Sequence, residues 1–299
     1  MRNYENVITA YIIMLLLIVC VGLFQSWSIA LTILNYCLIS AVMTIGANMQ
    51  WGYAGLINFG IMGYTALGGL AVVLVSVEPV KKAWQAGGLN ILLSVWVIVI
   101  MIISIRFILK KFNKTKTRSL GILSIFIFGI YLIRSTATPG IEAIEAVDPA
   151  RYGFLGGLGL PVLLSWIVGA FFAAGLALIV GKIALGLRAD YLAIATLLIA
   201  EIVVSIIKHE EWLARGVKNV IGLKRPAPYE IDLQTSEWFI NLVAKFNSSK
   251  LNLINSISDK QEALNQMVIN ASSVYVKLCF TGLFLTVVII LLIVTQKAL

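Results

Sequence analysis

The sequence predicts an all-α, polytopic membrane protein with about eight transmembrane helices, one of them broken and glycine-rich, and one long extracytoplasmic loop. Three observations predict it. Of 299 residues, 60% are hydrophobic and only 12% are charged, against about 25% charged in an ordinary soluble domain. The apolar residues fall in successive runs of roughly 20, the length a helix needs to cross a hydrocarbon core about 30 Å thick. The cations gather in short loops between those runs, as topology signals do.

Taken in order, the runs place spans at 7–24, 28–49, 54–77, 89–109, 119–133, 158–180, 189–207 and 274–295. The first, Val7–Phe24, is long for a signal-peptide core and lacks a small-x-small cleavage pattern before Ser26 and Trp27, so it reads as a retained span. The fifth is the shortest. Between the fourth and fifth stand Lys110, Lys111, Lys114, Lys116 and Arg118 with no acidic residue among them, which makes that loop cytoplasmic. Counting outward puts the N-terminus with Arg2 inside, Glu142, Glu145 and Asp148 outside, and Lys182–Arg188 inside; of the short loops, the one with Lys81 and Lys82 alone disagrees. The segment 208–273, with Trp212 and Trp238, reads as a partly folded extracytoplasmic loop within a single transmembrane domain, 1–299. In it Ser236 and Glu237 suit a helix start and the run Asn247–Ser249 a helix end.

Several function classes are excluded. The net charge of +9 does not form a basic stripe interleaved with aromatics, so nucleic acid is not the expected partner. Cys20, Cys37 and Cys279 lie far apart inside apolar runs and read as packing residues, without metal-ligand spacing. His209, the single histidine, sits among charges and reads as a solvated interfacial residue. There is no nucleophile elbow, no zinc-protease helix and no phosphate-binding Gly-Lys-Ser/Thr loop. No catalytic residue, metal ligand or resident cofactor is therefore expected, and the chain is not expected to be an enzyme.

The most informative stretch is Ile45–Gly69, where Asn48, Gln50 and Asn58 and the glycines Gly52, Gly55, Gly60 and Gly63 interrupt an apolar region. Irregular backbone at membrane depth survives only where protein buries it or a water-filled cavity faces it, which makes this stretch a candidate pathway lining. The alternative is a plain cytoplasmic turn followed by an ordinary helix whose glycines permit close packing. Glu201 lies within the apolar run Tyr191–Ile207, where an ionised carboxylate is costly, so it reads either as a pathway or gate residue or as a carboxyl satisfied by Thr196, by neighbouring backbone or by protonation. Arg106 and Arg134 lie close enough to span ends to snorkel. Gly169, Ala170, Ala173 and Ala174 put small residues on one helical face, a packing signal.

Two segments, YCLISAVMTIGANMQWGYAGLINFGIMGYTALGG and GLRADYLAIATLLIAEIV, resemble the hallmark regions of the branched-chain amino acid ABC transporter permease family. In that family a G-Y-x-G-x-x-(S/N)-x-G core is matched here by Gly52, Tyr53, Gly55, Asn58 and Gly60, and a G-A-Y-like end by Gly63, Tyr64 and Thr65. The family's L-R-G-D-Y-x-A-I-x-T-L-x-x-x-E-I pattern is matched from Leu187 through Ile202, including Arg188, Asp190, Tyr191 and Thr196, with Ala189 in place of the usual glycine.

The resemblance implies a permease subunit of an ABC importer for branched-chain or related amino acids in the bacterial inner membrane. It implies a second homologous permease, two cytoplasmic ATPase subunits that bind the ATP, and an extracytoplasmic solute-binding protein. Asn48, Gln50, Asn58 and Tyr64 would then line the substrate pathway, with Glu201 helping to fix or gate it. Two features depart from the family: extra hydrophobic material between Leu89 and Ile133, and a chain that stops at Leu299 where such permeases continue into a cytoplasmic segment resembling the coupling helix. That ending is expected of a truncated or split permease. Other readings are a proton-coupled carrier or channel working through Glu201, and a non-transporting membrane scaffold.

Overall fold

The computed structural model describes residues 2–111, 116–184, 186–253 and 256–298; Lys114 of the basic loop and the terminal Leu299 lie outside the described residues. Every regular element among the described residues is helical. Among the described residues six helices are long and apolar enough to cross a membrane, and two shorter apolar helices, Ile8–Phe24 and Ile61–Ser76, accompany them. The chain divides into two compact units, Met1–Leu56 with Arg225–Leu299, and Ile57–Lys224.

The first unit is built on α1 (Arg2–Phe24), α2 (Trp27–Asn48) and the long α13 (Ile257–Ala298), with α10 (Glu230–Thr235), α11 (Glu237–Phe246) and α12 (Ser248–Leu251) against the first half of α13. The Ser26 hydroxyl accepts from the Ile29 amide and so starts α2. Along the seam of α2 and α13 runs a ladder of polar side chains. Lys277 Nζ donates to the Ser28 carbonyl at 3.2 Å and Oγ at 2.5 Å, and Ser28 Oγ meets Ser273 Oγ at 3.0 Å. One turn on, Asn35 Nδ2 donates to the Lys277 carbonyl at 3.1 Å while its Oδ1 accepts from the Thr281 hydroxyl at 2.8 Å. In two apolar helices these groups have few other partners, so they hold the pair in one register. Beyond the ladder, Phe239 and Val243 of α11 pack on Val268 and Val276 of α13.

Two expectations are corrected in this unit. The segment 208–273 is not mainly loop: α13 is one helix of 42 residues that begins at Ile257, well before the expected 274. Its polar first half is helical because Val268, Ser272 and Val276 present a buried stripe to α10 and α11. Ser236 does occupy the cap position of α11, yet its hydroxyl donates to the Leu233 carbonyl behind it rather than capping. Asn247 ends α11, and the Ser248–Ser249 pair starts the single turn of α12.

The second unit holds α3 (Ile61–Ser76), the turn α4 (Lys81–Ala83), α5 (Leu89–Lys111), α6 (Lys116–Glu145), α7 (Val162–Ala184), α8 (Ala189–His209) and the turn α9 (Glu211–Ala214). α3 packs on α7 and α8, and α5 packs on α6. Gly169 of α7 is buried facing Gly68 and Ala71 of α3, so near that a Cβ added to it would lie 3.4 Å from both, the close approach its small-residue stripe implied, whereas Ala170 and Ala174 face outward. The span expected at 119–133 is corrected to the 30-residue α6, so Glu142 and Glu145 lie on its final turns and not in a loop. The helix continues because Ile141 and Ile144 still point into a core with Ala83, Ile91 and Leu155. α3 ends at Ser76, and the irregular segment after Arg151 lies alongside it: Leu158 N donates to Leu74 O, Leu160 N to Val75 O and Gly159 N to Val77 O. Those carbonyls are the ones a helix leaves unpaired at its end. Arg215, buried and left-handed at φ 63, closes α9 and donates its guanidinium to the Ala150 and Asn219 carbonyls.

Asn35→Leu removes two rungs of the ladder and is expected to lower the stability of the detergent-purified protein by about 1 kcal/mol, read as a lower Tm; an unchanged Tm would show that the rungs hold nothing. Arg225 hydrogen-bonds Glu230 and holds its carboxyl below the usual range, partly opposed by burial. A depressed folded-state value gives stability present above the unfolded value and lost as pH falls through the folded one. Thermal stability should therefore decline below about pH 4, and Glu230→Gln should flatten that part of the profile.

Candidate functional site

The break between α2 and α3 is built in two parts, one in each compact unit. In the first, α2 widens into a π-turn over Met49–Tyr53, where the Ala54 amide reaches back to Met49 O. Gly55 then stops the helix at φ +65, a conformation favoured by a residue without a side chain, and the Leu56 amide closes on Gln50 O. Asn48 is exposed, and its Oδ1 fills the space above Gly52: a Cβ there would lie 2.2 Å from it. With Tyr11, Tyr36, Ser40 and Thr44, Asn48 lines a groove of about 760 Å³ formed by α1, α2 and α13. Gln50 is half-buried, and its Oε1 is buried with no hydrogen-bond partner among the described residues.

In the second unit the chain from Asn58 to Gly63 sits on α8. Asn58 Oδ1 accepts from the Gly60 amide at 2.7 Å, a turn closed by the side chain itself. The Phe59 amide donates to Thr196 Oγ1 at 3.2 Å, and that hydroxyl donates in turn to Ala193 O at 2.9 Å. These two amides precede α3 and would otherwise have no partner in an apolar environment. The seat works only with glycine: a Cβ at Gly60 would come 2.7 Å from the Thr196 carbonyl oxygen, and one at Gly63 would come 3.0 Å from Ala200 Cα. Thr196 and Ala200, one turn apart on α8, are both buried. Two sequence segments more than a hundred residues apart thus meet through Phe59, Gly60 and Gly63 on one side and Thr196 and Ala200 on the other, with Asn58 closing the turn on its own side.

The remaining expected residues distribute around this seat. Tyr64 is half-buried in the first turn of α3. Arg188 stands at the N-cap position of α8 without capping it, Asp190 lies in the first turn where the helix dipole favours a carboxylate, and Tyr191 is exposed. Glu201 is corrected in one respect. It does not bond Thr196, whose hydroxyl is committed to Phe59 and Ala193; Glu201 is exposed and makes no hydrogen bond or ion pair among the described residues. His209 is exposed, with Nδ1 2.7 Å from Ser205 O. Among the described residues no cluster of three or more His, Cys, Asp or Glu could hold a metal ion.

Sequence reasoning missed Lys277, although the signal was the one that marked Glu201: an ionisable residue inside an apolar helical run. It also missed Gln50's buried carbonyl, which only the π-turn produces. No protein-family model, curated protein or solved structure was found to match this chain.

Gly60→Ala is expected to destabilise the purified protein by about 1–3 kcal/mol through overpacking against the α8 backbone. Gly68→Ala, where a Cβ meets nothing within 4 Å, should be neutral or stabilising. Equal Tm values for the two variants would show that the seat on Thr196 is not tight.

Proposed function

We propose that this chain is a transmembrane permease subunit of an ABC importer for branched-chain or related amino acids, seated in a bacterial inner membrane with its N-terminus cytoplasmic. In this reading it forms the pathway with a second homologous permease and binds no nucleotide, the ATP being hydrolysed by two cytoplasmic ATPase subunits. An extracytoplasmic binding protein delivers the solute.

One observation carries the reading. The two segments that resemble the family's hallmark regions pack on each other, the matched glycines Gly60 and Gly63 against α8 at the matched Thr196 and at Ala200, with the Phe59 amide bonded to Thr196. A broken helix whose backbone is satisfied by a neighbouring helix is a common way for a membrane transporter to hold irregular chain near its substrate. Asn48, exposed in its groove, and Gln50, with its unpartnered oxygen, supply polar groups near the break. Six helices of spanning length fit a multi-pass subunit.

Glu201 favours a second reading. An exposed carboxyl on a helix of spanning length, without a partner among the described residues, is placed to exchange protons in a secondary carrier.

Affinity purification of the tagged chain from its native membrane should recover an ATPase subunit and a binding protein, and uptake of radiolabelled leucine should require ATP. Asn58→Leu should abolish uptake while membrane assembly persists, whereas Asn58→Asp, which keeps an acceptor for the Gly60 amide, should retain part of it. Uptake by proteoliposomes without nucleotide, with a pH dependence that Glu201→Gln removes, would replace the permease reading by the carrier.

A further inference from the structure

Outside the broken helix, the first unit carries a groove of about 600 Å³ between α11 and one face of α13. α11 has two apolar stripes. Phe239 and Val243 are buried in the core. Trp238, Leu242 and Phe246, spaced four apart, are exposed, Trp238 by 55% and Phe246 by 82%. Large aromatics left this bare on a polar-flanked helix need a cover that the described residues do not supply.

The lining of the groove changes along its length. On α13 it runs from Leu278, at the start of the strongly apolar half, past Tyr275 to Asn270 and Met267, a rise of roughly 16 Å over eleven residues. Trp27, at the start of α2, lines it too, next to Ser28, which bonds Ser273 and Lys277. α11 begins beside Tyr275 and ends at Asn247, so Asn247 and Lys250 line the groove farther along. Trp238, Phe239 and Tyr275 form an edge-on cluster beside it, with centroids 5.5–6.4 Å apart. Trp and Tyr gather where hydrocarbon gives way to headgroups, so the groove begins in hydrocarbon and ends at headgroup level. There Lys250 is exposed and in no ion pair among the described residues.

We propose that this groove is a seat for one anionic phospholipid of the adjoining leaflet, its acyl chain lying between α11 and α13 and its phosphate beside Lys250. The apolar stripe Leu242–Phe246 covers the chain, and Lys250 adds the attraction that an anionic surface exerts on a nearby lysine. The seat serves to pin α11 to the membrane surface and does not depend on what the protein transports.

Native mass spectrometry of the full chain, extracted in mild detergent and mixed with phosphatidylglycerol or phosphatidylcholine, tests the seat. The parent protein should retain one phosphatidylglycerol that survives detergent exchange. Lys250→Glu should cut phosphatidylglycerol retention about fivefold and leave phosphatidylcholine unchanged. Leu242→Trp, which fills the groove, should lose both lipids. Equal retention in Leu242→Trp and parent, or no lipid surviving exchange in the parent, would overturn the seat; an unchanged headgroup preference in Lys250→Glu would overturn the phosphate contact. Lys250 lies outside the packed core, so its variant keeps the test decisive if Leu242→Trp fails to assemble.

Discussion

A peptide group in hydrocarbon has no water to fall back on and must find its partner inside the protein, and at the break between α2 and α3 the Phe59 and Gly60 amides are both paired by side chains. The rest of the structure near the break follows from that constraint. Asn58 folds its own side chain onto the Gly60 amide, and Thr196 turns its hydroxyl to the Phe59 amide. Thr196 reaches that amide because Gly60 and Gly63 let α3 approach the backbone of α8 without an intervening side chain. Remove the approach and the Phe59 amide is stranded, while the Gly60 amide keeps its bond to Asn58.

The same logic appears elsewhere with different chemistry. The end of α3 is closed by amides from the irregular segment 158–160, so a stretch with no regular structure becomes the cap of a helix. In the first unit, Lys277 and Asn35 spend their donors on the facing helix and its carbonyls, so an ionisable side chain in an apolar helix becomes a register pin. In each case a feature that looks like a defect in an apolar run is the device that joins two elements.

How much of this was legible in the sequence depended on whether the signal was local. Apolar runs of spanning length announce helices, Asn58, Gly60 and Gly63 were marked by interrupting an apolar region, and Thr196 by the pattern from Leu187 to Ile202. That Thr196 serves Phe59 and leaves Glu201 alone is a matter of which way two residues on one helix face, and nothing in their spacing to distant α3 reveals it. The extension of α6 to Glu145 was hidden because the carboxylates at Glu142 and Glu145 outweigh, by eye, the isoleucines at 141 and 144 that keep the helix in its core. The early start of α13 was hidden in the same way: Asp259, Lys260 and Glu262 read as loop, while the helix owes its existence to tertiary packing of Val268 and Val276, a contribution that outweighs local propensity.

The unbroken run of α13 has a mechanical consequence. A helix of 42 residues is a rod of roughly 60 Å, about twice the hydrocarbon thickness. α11 packs on it at Val268 and Val276, and α2 is bonded to it from Ser273 to Thr281. One continuous element therefore carries both sets of contacts.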